Sequence, residues 1–148
     1  MNFNSNGGGI AVRADIRVVA GGSTWNTRLA QLLRGNRKIV ICTFSLSPDY
    51  VGRLLRKRSR DVVLVVNSKF AGKAMEVKRE FPNVRIFLAA NTHAKMALVE
   101  PDMVWLSSEN LVRSRNFENT VGICSRDVYE FYMRQMMLHG LFRYELEG

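Results

Sequence analysis

Short apolar runs rich in Val and Ile recur along the chain, separated by stretches where apolar residues return every three or four positions. Residues 16–20 form the first such run. Gly21-Gly22-Ser23-Thr24 breaks it, and the Ser-Thr pair offers an N-cap for a helix running to about Arg34. The β-branched runs at 38–44, 61–66 and 84–90 read as buried strands, with helices predicted between them at 48–58 and 70–80. Residues 95–99, 103–106 and 117–124 read as three further strands, followed by a helix from about 126 to 141. This order predicts an α/β sandwich in one domain, a mixed sheet with helices on both faces. The order of strands within the sheet is not legible in the pattern.

The last helix is apolar around most of its circumference. Val128, Phe131, Tyr132, Met136 and Leu138 suffice to cover a core, yet Tyr129, Met133, Met137 and Leu141 place apolar groups on other sides. Such a helix is buried twice over, by its own core or by a second subunit. Cys42 and Cys124 sit in apolar runs without a Cys-x-x-Cys or metal spacing, which predicts buried free thiols, as suits a reducing compartment. The Asn- and Gly-rich start of the chain predicts a flexible tail over 1–10 ahead of a domain at 11–148.

At 148 residues and 47% hydrophobic content, the chain is long enough for one substantial core. Charge narrows the partners. Lys and Arg number 22 against 13 acidic residues, for a net charge of +9, and Arg grips phosphate in a bidentate manner that Lys does not. The densest cluster is Arg53, Arg56, Lys57, Arg58 and Arg60, with Arg113 and Arg115 further on. A polyanion is the partner this implies, DNA or RNA. An anionic membrane would also attract such charge, but no apolar run nears the roughly 20 residues of a membrane span and no secretory segment is evident. The expectation is a cytoplasmic protein without a membrane span.

Candidate chemistry is concentrated between residues 93 and 119. His93-Ala94-Lys95 is followed by Glu100, Ser107-Ser108-Glu109-Asn110 and Asn116-Phe117-Glu118-Asn119. A neutral imidazole can attack phosphorus when a carboxylate holds its tautomer, and His93 with Glu118 offers that pair. Lys95 and Asn110 supply donors for the non-bridging oxygens. On a strand, His93 and Lys95 would share one face.

The spacing resembles that of the phospholipase D superfamily, whose signature is H-x-K-x4-D followed by x6-G-S-x-N. Here it reads His93-x-Lys95-x4-Glu100, then x6 to Ser107-Ser108-x-Asn110, and Asn116-x-Glu118-Asn119 resembles the N-x-E-N segment of the superfamily's small bacterial endonucleases. Two positions depart, Glu100 for Asp and Ser107 for Gly. The resemblance implies that His93, Lys95, Asn110 and Glu118 are catalytic and that Glu100, Ser107 and Ser108 support them; Arg113 and Arg115, lying between Asn110 and Glu118, are expected to contact the substrate with Lys95 and Asn110. It also implies a homodimer, because the family's chemistry uses two histidines and the other one here, His139, has no motif around it. The expected activity is metal-independent phosphodiester cleavage through a phosphohistidine, most naturally of DNA or RNA. A phospholipid-cleaving hydrolase and a catalytically impaired nucleic-acid-binding dimer are the alternatives.

No metal or cofactor is implied. Pro48-Asp49 with Glu76-Val77-Lys78 mimics a PD-(D/E)-x-K site, but Glu76 and Lys78 fall on a predicted surface helix, where positions i and i+2 do not face each other. Two distant histidines and two cysteines make no zinc cluster. Gly21-Gly22-Ser23-Thr24 lacks the Lys and spacing of a phosphate-binding loop and reads as a turn with a cap.

Overall fold

In the computed structural model, which describes residues 8–22 and 24–148, the central strands β2 (Ile39–Thr43) and β3 (Val62–Asn67) are buried along their whole length. Burial on both faces requires cover on both faces. Ile39, Ile41, Val62, Leu64 and Val66 point into one layer, where they meet Trp25, Leu29 and Leu33 of α1 (Thr24–Leu33), Val51, Leu54 and Leu55 of α2 (Pro48–Leu55), and Ala74 and Val77 of α3 (Ala71–Glu80). The alternate residues Val40, Cys42, Val63 and Val65 point the other way, onto Val128 and Met136 of α4 (Arg126–Leu138) and onto Leu141. The predicted sandwich is therefore present, with three helices on one face and one on the other.

The sheet adds β1 (Asp15–Ala20), β4 (Arg85–Ala89), β5 (Met96–Val99), β6 (Met103–Ser107) and β7 (Asn119–Cys124), in the order β1-β7-β6-β5-β2-β3-β4. Pairings β2–β3 and β3–β4 are parallel and the other four antiparallel. Helices α2 and α3 make the crossovers that parallel neighbours require. This connectivity brings the C-terminal ends of β2, β3, β4 and β6 to the same edge of the sheet as the N-terminal ends of β5 and β7. The segment 144–146 runs along β4 and closes that side, with Leu88 N–H donating to Tyr144 O (3.0 Å) and Leu146 N–H to Ile86 O (2.7 Å). The other side is open. Ile16 and Val18 of β1 are 62% and 70% exposed.

Several boundaries differ from the sequence reading. α4 stops at Leu138, three residues short, because Gly140 takes φ +71° and its N–H and that of Leu141 return to Met137 O and Met136 O, a Schellman ending. α2 ends at Leu55 rather than 58, and β5 and β7 begin at Met96 and Asn119 rather than 95 and 117. Both cysteines are free, but only Cys42 is buried. Cys124 is exposed, since it ends β7 against the thinly covered edge strand β1. Residues 1–7 of the expected tail, and Ser23 of the turn, lie outside the described residues.

Candidate active site

His93 stands on a segment pinned from below. Buried Asn67, at the end of β3, donates through Nδ2 to Thr92 O (2.8 Å) and Ala90 O (3.3 Å), and Cys42 Sγ lies 3.0 Å from Thr92 Oγ1. Burial pushes the Cys42 thiol up to about 11, so it serves here as an inert packing group. These contacts fix Thr92 and present the next residue, His93, at the surface with its ring against Phe44 (centroids 4.8 Å apart). Lys95 precedes β5 but extends its ladder, because its carbonyl accepts from Ser107 N–H (2.9 Å). The two side chains meet as the period-two argument requires, although the strand begins one residue later: Lys95 Nζ is 3.0 Å from His93 Nδ1. An ammonium only donates, so Nδ1 accepts and a neutral ring carries its proton on Nε2.

Asn110 is held by the loop that follows β2. Its Oδ1 accepts from Phe44 N–H and Ser45 N–H (both 3.2 Å) and lies 3.3 Å from Thr43 Oγ1. Leu46 and Leu111 form a parallel bridge beside it, with Ser47 N–H donating to Leu111 O (2.9 Å). The two backbone N–H donors settle the amide's orientation and leave Nδ2 as its free donor among the described residues. Because Phe44 both donates to Asn110 and stacks on His93, one loop aligns the two groups.

The third part of the site hangs on Glu118. Its carboxylate accepts from Ser108 Oγ and from Ser114 Oγ (3.1 Å), and its carbonyl accepts from Gly21 N–H (2.9 Å). Gly21 has φ +114°, a conformation reserved for glycine, which lets the turn after β1 reach this carbonyl. Ser108 Oγ also accepts from Asn119 N–H (3.1 Å). Ser107 is tied inward, its hydroxyl 3.1 Å from Thr120 Oγ1 and accepting from Glu109 N–H (3.1 Å). Buried Glu109 accepts from Trp25 N–H (3.1 Å) in the first turn of α1, a turn without an acid of its own. Burial raises the Glu109 carboxyl, and the Trp25 bond and the nearby Glu118 charge act less strongly, in opposite senses. A carboxylate at the positive end of α1 is favourable. It also occupies the terminus that a phosphate would need, so the glycine turn is scaffold, as the sequence reading favoured.

Four candidates make no bond to His93, Lys95 or Asn110. Glu100 follows β5 at its far end, roughly 16 Å from Lys95 at about 3.3 Å per residue, and its N–H donates to Lys38 O (3.1 Å). Glu118 touches Ser108 and Ser114 but makes no bond to His93 in the single chain. Arg113 and Arg115 are exposed on the loop between Leu111 and Glu118, without an ion pair among the described residues. His139 caps α4, its carbonyl accepting from Asn91 Nδ2 (3.2 Å). Lys78 donates to Pro82 O and Val84 O (2.9 and 2.8 Å), away from any catalytic arrangement with Asp49. Among the described residues no group of three His, Cys, Asp or Glu is placed to hold a metal, and no helix is long and apolar enough to cross a membrane. Sequence reasoning missed the scaffold of the site: Phe44, Asn67, Thr92 and Ser114. Only their proximity in the fold identifies them.

No family model and no curated protein sequence matches this chain. Solved structures do. Nuc from Salmonella typhimurium, a phospholipase D family member, superposes with a TM-score of 0.65 at 16% identity, over 90% of this chain and 99% of that one. Phosphatidylserine synthase of Haemophilus influenzae Rd KW20 gives 0.58 at 17%, over 90% of this chain and 40% of the other. TrmBL2, an archaeal chromatin protein described by its mode of DNA binding, gives 0.55 at 14%, over 87% and 52%. The chain thus has the fold of the phospholipase D superfamily. Proteins of this fold meet lipid and DNA alike, so the chemistry has to be read from the site.

Proposed function

We propose that this protein is a metal-independent phosphodiesterase, an endonuclease on DNA or RNA that works as a homodimer. The observation that carries the reading is the convergence of His93, Lys95 and Asn110 at one edge of the sheet, through the Lys95–His93 contact and the shared Phe44. A phosphodiester bound there draws Lys95 Nζ onto a non-bridging oxygen and releases Nδ1. With Nδ1 protonated and held by an acceptor, the role assigned to Glu118, the Nε2 lone pair attacks phosphorus. The P–N bond forms as the P–O bond to the leaving group breaks, and the leaving oxygen takes a proton from the partner's His93. That second imidazole then removes a proton from water, which attacks phosphorus, breaks the P–N bond and returns His93 neutral. Lys95 Nζ and Asn110 Nδ2 donate to the equatorial oxygens, where charge accumulates, while Ser108 Oγ gives its proton to Glu118 and holds that carboxylate in place. Exposed apolar groups suited to a second copy exist, Met137 and Leu138 of α4 and Ile16 and Val18 of β1.

The test combines metal and mixing. Hydrolysis of a labelled DNA and RNA panel should persist in excess EDTA, and His93→Ala should lower it by about 10⁴ or more without changing the melting temperature. Adding His93→Ala chains to wild type under subunit exchange should depress activity per wild-type chain, since each mixed dimer lacks one of its two histidines. Loss of activity in EDTA with rescue by Mg²⁺ would overturn the mechanism. Headgroup release from phospholipid vesicles without nucleic-acid cleavage would favour the lipid chemistry named for the Haemophilus neighbour. Tight nucleic-acid binding without turnover would favour a binding dimer.

A further inference from the structure

The basic cluster that follows α2 is divided by the fold. Arg56 Nη2 pairs with Glu80 Oε1 at 3.2 Å, and Arg58 donates to Leu33 O (3.3 Å) and Arg60 O (3.1 Å). Arg60 lies with Lys38 and Arg85 at the opposite end of the sheet from His93. Arg53 and Lys57 remain. They have no ion pair among the described residues, and line a pocket of about 340 Å³ together with Arg113. Tyr50, Glu109 and Ser114 form further parts of the wall. Ser114 is also the residue whose hydroxyl holds Glu118, and Glu109 stands between Ser108 and Asn110, so the pocket and the reactive edge share a wall.

Three cations brought into one concavity repel one another, and the single carboxylate among them is engaged with the start of α1. Such an arrangement is relieved by an anion. We propose that this pocket is a second phosphate subsite, which holds a neighbouring phosphodiester of the nucleic-acid strand whose scissile phosphate lies at His93. Arg53 and Arg113 offer planar forks for the oxygens, Lys57 a point charge, and the Tyr50 hydroxyl a further donor. The subsite rests on the nucleic-acid reading and deepens it: a substrate with a single phosphate satisfies only the reactive edge, and a longer strand satisfies both.

The experiment measures oligonucleotide binding against salt with His93→Ala protein, comparing Arg53→Gln/Lys57→Gln with Arg126→Gln/Arg134→Gln, which removes equal charge from the opposite face. The pocket pair should make the log-log slope shallower by roughly 0.7 to 0.9, the value for one phosphate contact, and the control pair by much less. In the active protein the pocket pair should lower the efficiency on a twelve-nucleotide strand, relative to a dinucleoside monophosphate, about tenfold, through KM rather than kcat. Single Arg53→Glu should act in the same direction, and unchanged melting curves would show that all variants fold. Equal slopes for the pocket and control pairs, or an unchanged ratio between long and short substrates, would overturn the subsite. Should wild type bind strands with the expected slope difference but cleave nothing, the catalytic reading fails and the subsite stands. Cleavage with equal slopes has the reverse meaning.

Discussion

The two ends of β5 carry the two ends of one linear motif and have little else in common. At the N-terminal end, His93 and Lys95 touch, and Asn110, Ser108 and Glu118 arrive from the loops after β6. At the C-terminal end, Glu100 enters a turn through Pro101 and Asp102, with Asp102 paired to Arg37 at 3.5 Å on the surface. The spacing His93-x-Lys95-x4-Glu100 looks compact because it is counted along the chain. On a strand, those intervening residues are distance, and Met96 to Val99 are all buried in the sheet between the two ends. The comparison teaches that motif membership and site membership are separate properties. A loop residue such as Phe44, absent from the motif, stands against the His93 ring, which Glu100 does not.

The largest effect tests how the reactive end is built. Asn110→Ala removes the donor proposed for the phosphate and also the acceptor for Phe44 and Ser45 N–H. It should lower kcat by about 10² to 10³ and destabilise the fold by about 1 to 3 kcal/mol, because part-buried donors lose their partner. Asn110→Asp keeps an acceptor at Oδ1 and loses the Nδ2 donor, so its melting temperature should stay near wild type while its activity falls as far. Equal stability losses in both variants would mean that the loop after β2 does not depend on this oxygen.

A smaller effect separates the two carboxylates. Glu118→Gln should lower kcat by about 10-fold to 100-fold, from the loss of a charged partner for an imidazolium. Glu100→Gln, at the far end of β5, should stay within about threefold of wild type, the range of ordinary surface changes. Comparable losses in the two variants would show that Glu100 reaches the site after all. A fall in melting temperature for Glu100→Gln with unchanged kcat would instead assign it to the turn that closes against Lys38.

The strands and helices were legible because their burial is periodic: alternating residues of β2 and β3 serve two cores, and every helix faces one. Boundaries were less legible where local backbone chemistry decides them. Gly140 ends α4 by adopting a positive φ, which hydrophobic periodicity does not encode. Sheet order was not legible, because β5 pairs with β2 across more than fifty residues of chain and nothing local marks that choice. Of the site, the residue types and spacing of His93, Lys95, Ser108, Asn110 and Glu118 were on the page. The groups that aim them were not, since Asn67, Thr92 and Phe44 gain their roles only by tertiary contact.

Glu109 supplies the smallest test, from a third acid that sits at the reactive end and belongs to the scaffold. Burial holds its carboxyl above the ordinary carboxylate range, so the folded chain binds this proton more tightly than the unfolded chain does. Its contribution to stability is therefore fully present below the ordinary carboxylate pKa and is lost as pH rises through the raised value. Glu109→Gln keeps an oxygen for Trp25 N–H and has no proton to exchange. Melting temperatures recorded across the acidic to neutral range should show a flatter profile for the variant, with the variant equal to or above wild type at neutral pH. Cleavage should change far less than in Glu118→Gln, because the Glu109 carboxylate is bonded to Trp25 N–H of α1 and makes no bond to His93, Lys95 or Asn110. If Glu109→Gln reduced kcat as much as Glu118→Gln while leaving the pH profile of stability untouched, Glu109 would have to act on the reaction, and the division between scaffold and reacting groups at this end of β5 would have to be redrawn.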